Sequence, residues 1–64
     1  MIRVLVTGAS GQLGQELQLS KPIQGAHFVF CDKEELNVLS PISIERAFKE
    51  VQPTHVINLA SLLM

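Results

Sequence analysis

The sequence predicts an α/β fold in which short parallel strands alternate with helices. Three apolar runs, at 4–6, 28–30 and 56–57, have the continuous apolar character typical of strands in the interior of a parallel sheet. Two segments between them carry apolar residues at helical spacing. A glycine-rich turn at 8–14 joins the first run to the first of these segments. Such alternation favours a parallel sheet with helical crossovers.

The first strand is predicted at 2–7 and the first helix at 12–20. Leu13 and Leu17 stand one helical turn apart, so they can share one face of that helix. The dipeptide at 21–22 is Lys-Pro, and the residue before a proline is biased away from helical backbone. The helix is therefore expected to end there.

A second strand is predicted at 27–31, and the segment 34–39 is predicted to be a loop. Ser40 is a residue type favoured at a helix N-cap, and Pro41 suits the first helical position because its missing N–H has no partner there anyway. Pro53 is expected to end this second helix. Its apolar face is predicted from four residues at i, i+3, i+4 and i+7: Ile44, Ala47, Phe48 and Val51.

The third strand is predicted at 55–60, with Val56 and Ile57 as its buried centre. The resulting order is that of a Rossmann-type βαβαβ half of a doubly wound parallel sheet, with right-handed crossovers. Residues 1–64 are therefore expected to form one mononucleotide-binding half of such a sheet. The strand that flanks the first strand on its free side in a complete sheet is expected to be missing, which leaves an apolar edge.

The glycine turn has the spacing G-x-x-G-x-x-G, formed by Gly8, Gly11 and Gly14. N–H groups at a helix N-terminus lack partners within the helix, and the helix dipole favours an anion there. Glycines allow the backbone to approach a pyrophosphate closely. Gly14 in the first helical turn costs ~1 kcal/mol relative to alanine, which close helix–strand packing or the approach of a cofactor would explain. The turn predicts a dinucleotide cofactor.

Asp32 closes the second strand near the ~20-residue offset at which an acid meets the adenosine ribose in dinucleotide-binding folds. Its carboxylate could accept hydrogen bonds from both ribose hydroxyls. The alternative is a solvated acid that starts a turn at the strand end. Lys33 follows directly and could meet a 2′-phosphate, so the sequence leaves NADP and NAD both open.

The glycine turn and two later segments carry a family resemblance. Residues 4–14 read Val-Leu-Val-Thr-Gly-Ala-Ser-Gly-Gln-Leu-Gly, residues 35–41 read Glu-Leu-Asn-Val-Leu-Ser-Pro, and residues 53–60 read Pro-Thr-His-Val-Ile-Asn-Leu-Ala. Together they resemble the dTDP-4-dehydrorhamnose reductases, within the extended short-chain dehydrogenase/reductase superfamily. The likeness covers the whole chain and corresponds to the N-terminal part of a family member, which is several times longer. It implies that residues 1–64 are a truncated N-terminal fragment of an NAD(P)-binding Rossmann domain.

The resemblance implies cofactor contacts from four places. These are the glycine turn under the pyrophosphate, the end of the second strand at the adenosine ribose, the following loop at the adenine, and the end of the third strand beside the ribose and nicotinamide. The expected cofactor is NADP or NAD. The expected cofactor-binding residues are, in that order, Gly8, Gly11, Gln12, Leu13 and Gly14; Asp32 and Lys33; Asn37 and Val38; and Leu59 and Ala60.

The chain departs from the family pattern in two places. Asn37 stands where the family usually has aspartate, although an amide oxygen can still accept a hydrogen bond from the adenine amino group. Residues 62–64 do not resemble the family's next stretch, which usually begins with tyrosine and threonine. Family catalysis relies on a Tyr-x-x-x-Lys pair with a serine or threonine. Because the chain contains no tyrosine, no catalytic residue is assigned to it.

The function these features favour is that of a cofactor-binding fragment of an NAD(P)H-dependent nucleotide-sugar reductase. The implied reaction reduces the 4-keto group of a dTDP-linked deoxysugar in dTDP-rhamnose biosynthesis. One alternative is a non-catalytic dinucleotide-binding regulatory subunit that resembles the regulatory subunit of methionine adenosyltransferase. Another is a nucleotide-sugar epimerase or dehydratase. The expected partners are the dinucleotide and the remainder of the parent enzyme, and a homo-oligomer stays open.

Composition narrows the class further. The net charge is −1 with no basic patch, so no nucleic-acid partner is expected. The apolar runs fall short of the ~20 residues that span a bilayer, and the N-terminus lacks a signal-peptide pattern. Cys31 is the single cysteine, which favours the cytoplasm and a core role. His27 and His55 lack neighbouring ligands at metal-site spacing, so no metal is expected.

Overall fold

The computed structural model describes residues 1–20 and 23–60, and it confirms the α/β class. The dipeptide at 21–22 that was predicted to stop the first helix, and the divergent segment 62–64, lie outside the described residues. Five elements follow one another in the alternating order predicted: β1 (Ile2–Thr7), α1 (Gln12–Leu19), β2 (Ala26–Phe30), α2 (Pro41–Val51) and β3 (His55–Asn58).

Helix α2 begins where its sequence predicts. Ser40 is the N-cap, and its Oγ accepts a hydrogen bond from the Ser43 N–H at 3.3 Å, while Pro41 is the first helical residue. The helix ends at Val51, and its C-cap Gln52 adopts the left-handed conformation with φ of 51° and donates its N–H to the Phe48 carbonyl. Ser40 and Pro41 therefore fix the start of α2. The serine supplies an acceptor for an N–H of the first turn, and the proline lacks an N–H that would have no partner there.

The sheet has three parallel strands in the order β2-β1-β3, so β1 lies in the centre. Val4 is aligned with Phe28 on one side and with His55 on the other. The expectation of an empty edge beside β1 is therefore wrong, because β3 occupies that side. No strand forms in the loop between β2 and α2, so the chain crosses back over β1 and pairs on its far edge.

Polar contacts fix β3 against β1 at both ends. At the start, the Arg3 N–H donates to Thr54 Oγ1 at 2.9 Å, and the Thr54 N–H donates to the Arg3 carbonyl at 2.8 Å. At the carboxyl end, Thr7 Oγ1 donates to Asn58 Oδ1 at 2.6 Å.

Because the crossovers from β1 and from β2 run in opposite directions across the sheet, right-handedness puts α1 and α2 on opposite faces. The β1/β3 boundary is then the switch point of the sheet.

The main apolar cluster lies between the sheet and α2. Leu5 is fully buried there, while Val6, its neighbour on the strand, is fully buried on the opposite face. The cluster consists of Leu5, Cys31, Leu36 and Ala47, with Val29, Val38, Ile44 and Val51 packed against it.

Two predicted core positions are exposed. Phe48 is 44% exposed and stands outside the apolar cluster, so the buried stripe of α2 is narrower than its apolar sequence face. Val56 is 45% exposed and Ile57 only half-buried, which corrects the prediction of a fully buried third strand. The reason is position: within the described residues β3 is an edge strand with a neighbour on one side alone.

Candidate functional site

The turn after β1 and the turn after β3 meet at the carboxyl edge of the sheet. Gly8 has φ of +66°, in the left-handed region. A Cβ on Gly8 would lie 2.5 Å from the Ala60 nitrogen and 2.6 Å from the Leu59 carbonyl carbon. Only glycine therefore allows this approach. The structure brings these three predicted site residues together at the switch point, where open α/β sheets bind their ligands.

Gly14 is buried in the first turn of α1 and lies against the peptide of Ala9. A Cβ there would overlap the Ala9 carbonyl and Cα. Of the two explanations offered for a glycine at this costly helical position, the geometry supports close packing between the helix and the turn.

Gly11 differs from Gly8 and Gly14 because no neighbouring backbone lies closer than normal contact to the position of its missing side chain. It is the N-cap of α1, is exposed, and has an ordinary extended backbone with φ of −73° and ψ of 175°. An added Cβ would find the Gly8 carbonyl oxygen at 3.5 Å, which is normal contact. The fold itself therefore does not require glycine at this position. The missing side chain leaves the glycine turn open at the N-terminus of α1, and we call this opening the mouth of the turn.

The N-terminus of α1 has no side-chain cap, in contrast to the serine cap of α2. The N–H groups of the first helical turn, including those of Gln12 and Leu13, have no acceptor within the helix. Leu13 is 66% exposed, so it contributes little to the core. Uncapped N–H groups beside an open glycine fit the pyrophosphate of a dinucleotide, because both the donors and the helix dipole favour an anion.

Asp32 lies at the same edge of the sheet and forms a reciprocal cap with Glu35. Its Oδ1 accepts the N–H groups of Glu34 at 3.0 Å and Glu35 at 2.9 Å, and its own N–H donates to Glu35 Oε1 at 3.1 Å. This is the capping-box arrangement. Asp32 therefore does start a turn, and Oδ2 is the oxygen that these three contacts leave uninvolved.

Asp32 and the glycine turn line one open pocket of about 200 Å³. Glu35 also lines it, and sequence reasoning missed this residue because its role depends on a turn that no periodicity marks. Lys33 is exposed next to these acids. The lining residues are Ala9, Ser10, Gln18, Phe30, Asp32 and Glu35.

Cys31 is buried in the apolar cluster next to this pocket. Burial raises the pKa of its thiol, and the nearby carboxylates of Glu35, Asp32 and Glu50 raise it further. A raised pKa keeps the thiol neutral at physiological pH, which agrees with a core role rather than a reactive one.

The loop between β2 and α2 is stabilised by hydrogen bonds of Asn37 and by the packing of Val38. The Asn37 N–H donates to Ser43 Oγ at 2.9 Å, and Asn37 Oδ1 accepts the Leu39 N–H at 2.9 Å. Val38 packs against the apolar cluster. The Asn37 amide oxygen keeps a second lone pair, so its predicted contact with adenine stays a prediction.

Asn58 is a residue of the site that sequence reasoning did not single out. Its Oδ1 accepts from Thr7 Oγ1 and also from the Ala60 N–H at 3.1 Å. The Leu59 N–H donates to the Thr7 carbonyl at 3.1 Å. The Asn58 side chain thus connects the end of β1 with the turn after β3 at the switch point. A polar residue at the end of an apolar strand was the only sequence signal.

The described part of the chain has neither a metal cluster nor a membrane-spanning helix. Within residues 1–20 and 23–60, no three histidine, cysteine or acidic side chains come together as a metal site. Neither of the helices in those ranges has the length and apolar character that crossing a membrane requires.

A glycine turn at the switch point of a parallel sheet defines a Rossmann-type α/β protein. Residues 2–62 match the family model described as RmlD substrate binding domain, and the chain belongs to that family. Among curated relatives, the spore coat polysaccharide biosynthesis protein SpsK of Bacillus subtilis (strain 168) is 38% identical over 61 residues. That match covers 95% of this chain and 22% of the relative.

Two solved structures have the same fold over this segment. The dTDP-4-dehydrorhamnose reductase from Bacillus anthracis str. Ames, in complex with NADP, superposes with a TM-score of 0.85 at 31% identity. A dTDP-4-dehydrorhamnose reductase ortholog from Clostridium acetobutylicum ATCC 824 gives 0.82 at 31% identity. Each match covers 95% of this chain and 22% of the solved chain, so the present chain spans about a fifth of these relatives. The resemblance predicted from the three sequence segments is confirmed.

Proposed function

We propose that residues 1–64 are the N-terminal cofactor-binding segment of an NAD(P)H-dependent nucleotide-sugar reductase. The proposed reaction is reduction of the 4-keto group of a dTDP-linked deoxysugar, in dTDP-rhamnose biosynthesis. The observation that carries the proposal is the uncapped N-terminus of α1 beside Gly11, a glycine that the packing of the protein does not need. Membership of the family and the NADP complex of the Bacillus anthracis relative support it.

In this proposal the chain binds and orients the dinucleotide, whose nicotinamide supplies the hydride. The N–H groups at the start of α1 bind the pyrophosphate, with Gly11 giving the backbone access to it. Asp32 and Lys33 face the adenosine ribose, and Asn37 and Val38 flank the adenine. The turn after β3, at 59–60, lies beside the ribose on the nicotinamide side.

Proton transfer to the substrate belongs to residues outside this segment. The chain has no tyrosine, so the tyrosine and lysine pair that the family resemblance implies must be contributed by the remainder of the enzyme. That remainder is the proposed partner of the segment. A single cysteine without an internal disulfide partner fits a reducing compartment, and we place the enzyme in the cytoplasm.

The test uses the complete protein, meaning residues 1–64 together with the remainder that the proposal assigns to them. Purified complete protein is incubated with NADPH or NADH and dTDP-4-dehydrorhamnose, and the loss of absorbance of the reduced nicotinamide is followed. Oxidation of the nicotinamide that depends on the sugar nucleotide supports the proposal. Dinucleotide binding with no turnover of any keto sugar nucleotide would favour a regulatory subunit, and absence of dinucleotide binding would overturn the proposal.

A further inference from the structure

Two glutamines of α1 turn their side chains back onto the glycine turn. Gln15 Nε2 donates to the Ser10 carbonyl at 2.9 Å. Gln18 Nε2 donates to the Ala9 carbonyl at 3.0 Å and to the Gly14 carbonyl at 3.2 Å. The two glutamines are three positions apart and lie on one side of the helix. They therefore act on two successive peptide groups of the same turn.

Three features of the structure hold the backbone of Ala9 on both of its sides. Its N–H donates to the Cys31 carbonyl at 3.0 Å, which ties it to the end of β2. Gly14 packs flush against its carbonyl because no Cβ intervenes. Gln18 then supplies the donor for the same carbonyl. Ala9 is 4% exposed, so this arrangement forms the buried base of the turn.

The direction of these carbonyls matters for an anion site. Glycine adopts a wider range of backbone conformations than other residues, and Gly8 and Gly11 lie on either side of the Ala9-Ser10 segment. A rotation that turned the Ala9 or Ser10 carbonyl toward the mouth of the turn would place a negative partial charge against a phosphate. The glutamine amides hold both carbonyls toward α1. The mouth is then left to the N–H groups of the first helical turn.

We propose that Gln18, assisted by Gln15, is a positioning residue that preorganises the glycine turn for pyrophosphate binding. The proposal rests on the proposed function, since it assumes that the turn receives a dinucleotide. Neither glutamine touches the pyrophosphate in this scheme, and Gln18 also lines the pocket beside Asp32. Each glutamine restricts the turn to the conformation that binds the pyrophosphate. Less conformational entropy is then lost on binding, and the affinity increases.

The test compares Gln18→Met with the wild-type complete protein, because methionine has a similar length and no amide donor. The matched control is Gln24→Met, at an exposed turn position before β2. ADP-ribose, which carries the pyrophosphate without the nicotinamide, is titrated by calorimetry. We expect Gln18→Met to weaken its binding by about threefold to tenfold, the equivalent of ~0.6–1.4 kcal/mol, which lies within the net contribution of a hydrogen bond. The control is expected to bind as the wild type does.

Steady-state kinetics separate positioning from a purely structural role. We expect the KM for the dinucleotide to rise in Gln18→Met while kcat stays within about twofold, because the reacting groups are unchanged. A lower melting temperature with an unchanged Kd for ADP-ribose would overturn the proposal, since the residue would then only stabilise the fold. If Gln18→Met does not fold, Gln15→Met at its exposed position replaces it, and wild-type affinity there overturns the proposal. Failure of the wild-type protein to bind ADP-ribose would instead count against the proposed function.

Discussion

Gly8, Gly11 and Gly14 occupy equivalent places in the motif but are glycine for different physical reasons. Gly8 needs a left-handed backbone and a close approach to the turn after β3, and Gly14 has no room against Ala9. Gly11 has room for a side chain. The spacing alone predicted the motif. It could not separate these roles, because each depends on which backbone lies opposite.

Gly14→Ala is expected to destabilise the complete protein. Alanine favours helix by ~1 kcal/mol, but its Cβ would overlap the Ala9 peptide, which β2 and Gln18 hold in place. Overpacking costs ~1–3 kcal/mol, so the collision outweighs the gain in propensity. The melting temperature should fall, and it should fall by more than in Gly11→Ala, whose side chain meets no collision and loses only the preference of an N-cap for glycine over alanine, about 1 kcal/mol. A Gly14→Ala variant that melts at or above the wild-type temperature would contradict this packing argument.

Asp32→Asn is expected to shift cofactor preference toward NADP. The amide keeps the Oδ1 acceptor for the two N–H groups of the turn but removes the negative charge beside the position proposed for the adenosine ribose. Because Lys33 opposes Asp32, the wild-type protein should accept both cofactors with modest discrimination. The shift should be about fivefold, the equivalent of the ~1 kcal/mol of one charge pair near 4 Å in water.

Competitive titration with NADPH and NADH measures this preference. The control is Glu34→Gln, which removes a charge of the same turn at an exposed position. A shift of Asp32→Asn toward NADH would show that the carboxylate does not face the ribose. An equal shift in both variants would assign the effect to overall charge.

At the scale of elements, the two helices begin in opposite ways. Helix α2 is capped by Ser40, whereas α1 starts at a glycine and has no side-chain cap. Ser40→Ala should therefore lower the free energy of unfolding by ~1 kcal/mol, because the Ser43 N–H loses its acceptor. The affinity for the dinucleotide should not change. Urea denaturation and calorimetric titration of the complete protein check both statements, and a weakened Kd would show that the α2 cap takes part in the site.

The positions of the strands and helices along the chain could be predicted from sequence far better than the order of the strands in the sheet. Apolar runs and the Ser40-Pro41 start located the strands and helices, because these depend on local patterns. Strand order did not follow, since an apolar run shows that a strand is buried and not which strand it pairs with. That information resides in the contacts of Arg3 with Thr54 and of Thr7 with Asn58, which join positions 51 residues apart. The Asp32–Glu35 cap was missed for a similar reason, because the sequence marks Asp32 as a strand-end acid but does not indicate that Glu35 turns back onto it.

At the scale of the whole molecule, the described residues leave much apolar surface uncovered. The outer edges of β2 and β3 have no strand beside them within this range, and Val56 is 45% exposed. A chain of 64 residues gains little from burial over its lost conformational entropy. Open strand edges also pair readily with other chains.

The isolated chain is therefore expected to lack reductase activity and to be unfolded or associated in solution. Sedimentation analysis and thermal unfolding followed by circular dichroism measure its state, and addition of a complementary chain with the remaining strands should order it. A monodisperse monomer that unfolds cooperatively would refute this expectation.

The central claim is that the glycine turn receives the pyrophosphate of a dinucleotide. Its most direct test is calorimetric titration of the complete protein and its Gly11→Val variant with NADPH. Since the fold leaves room at Gly11, the variant should stay folded, with a stability loss of about 1 kcal/mol because valine is a poorer N-cap residue than glycine. Its side chain should block the mouth of the turn and weaken binding at least about tenfold, or ~1.4 kcal/mol. Wild-type affinity in a folded Gly11→Val variant would contradict the claim.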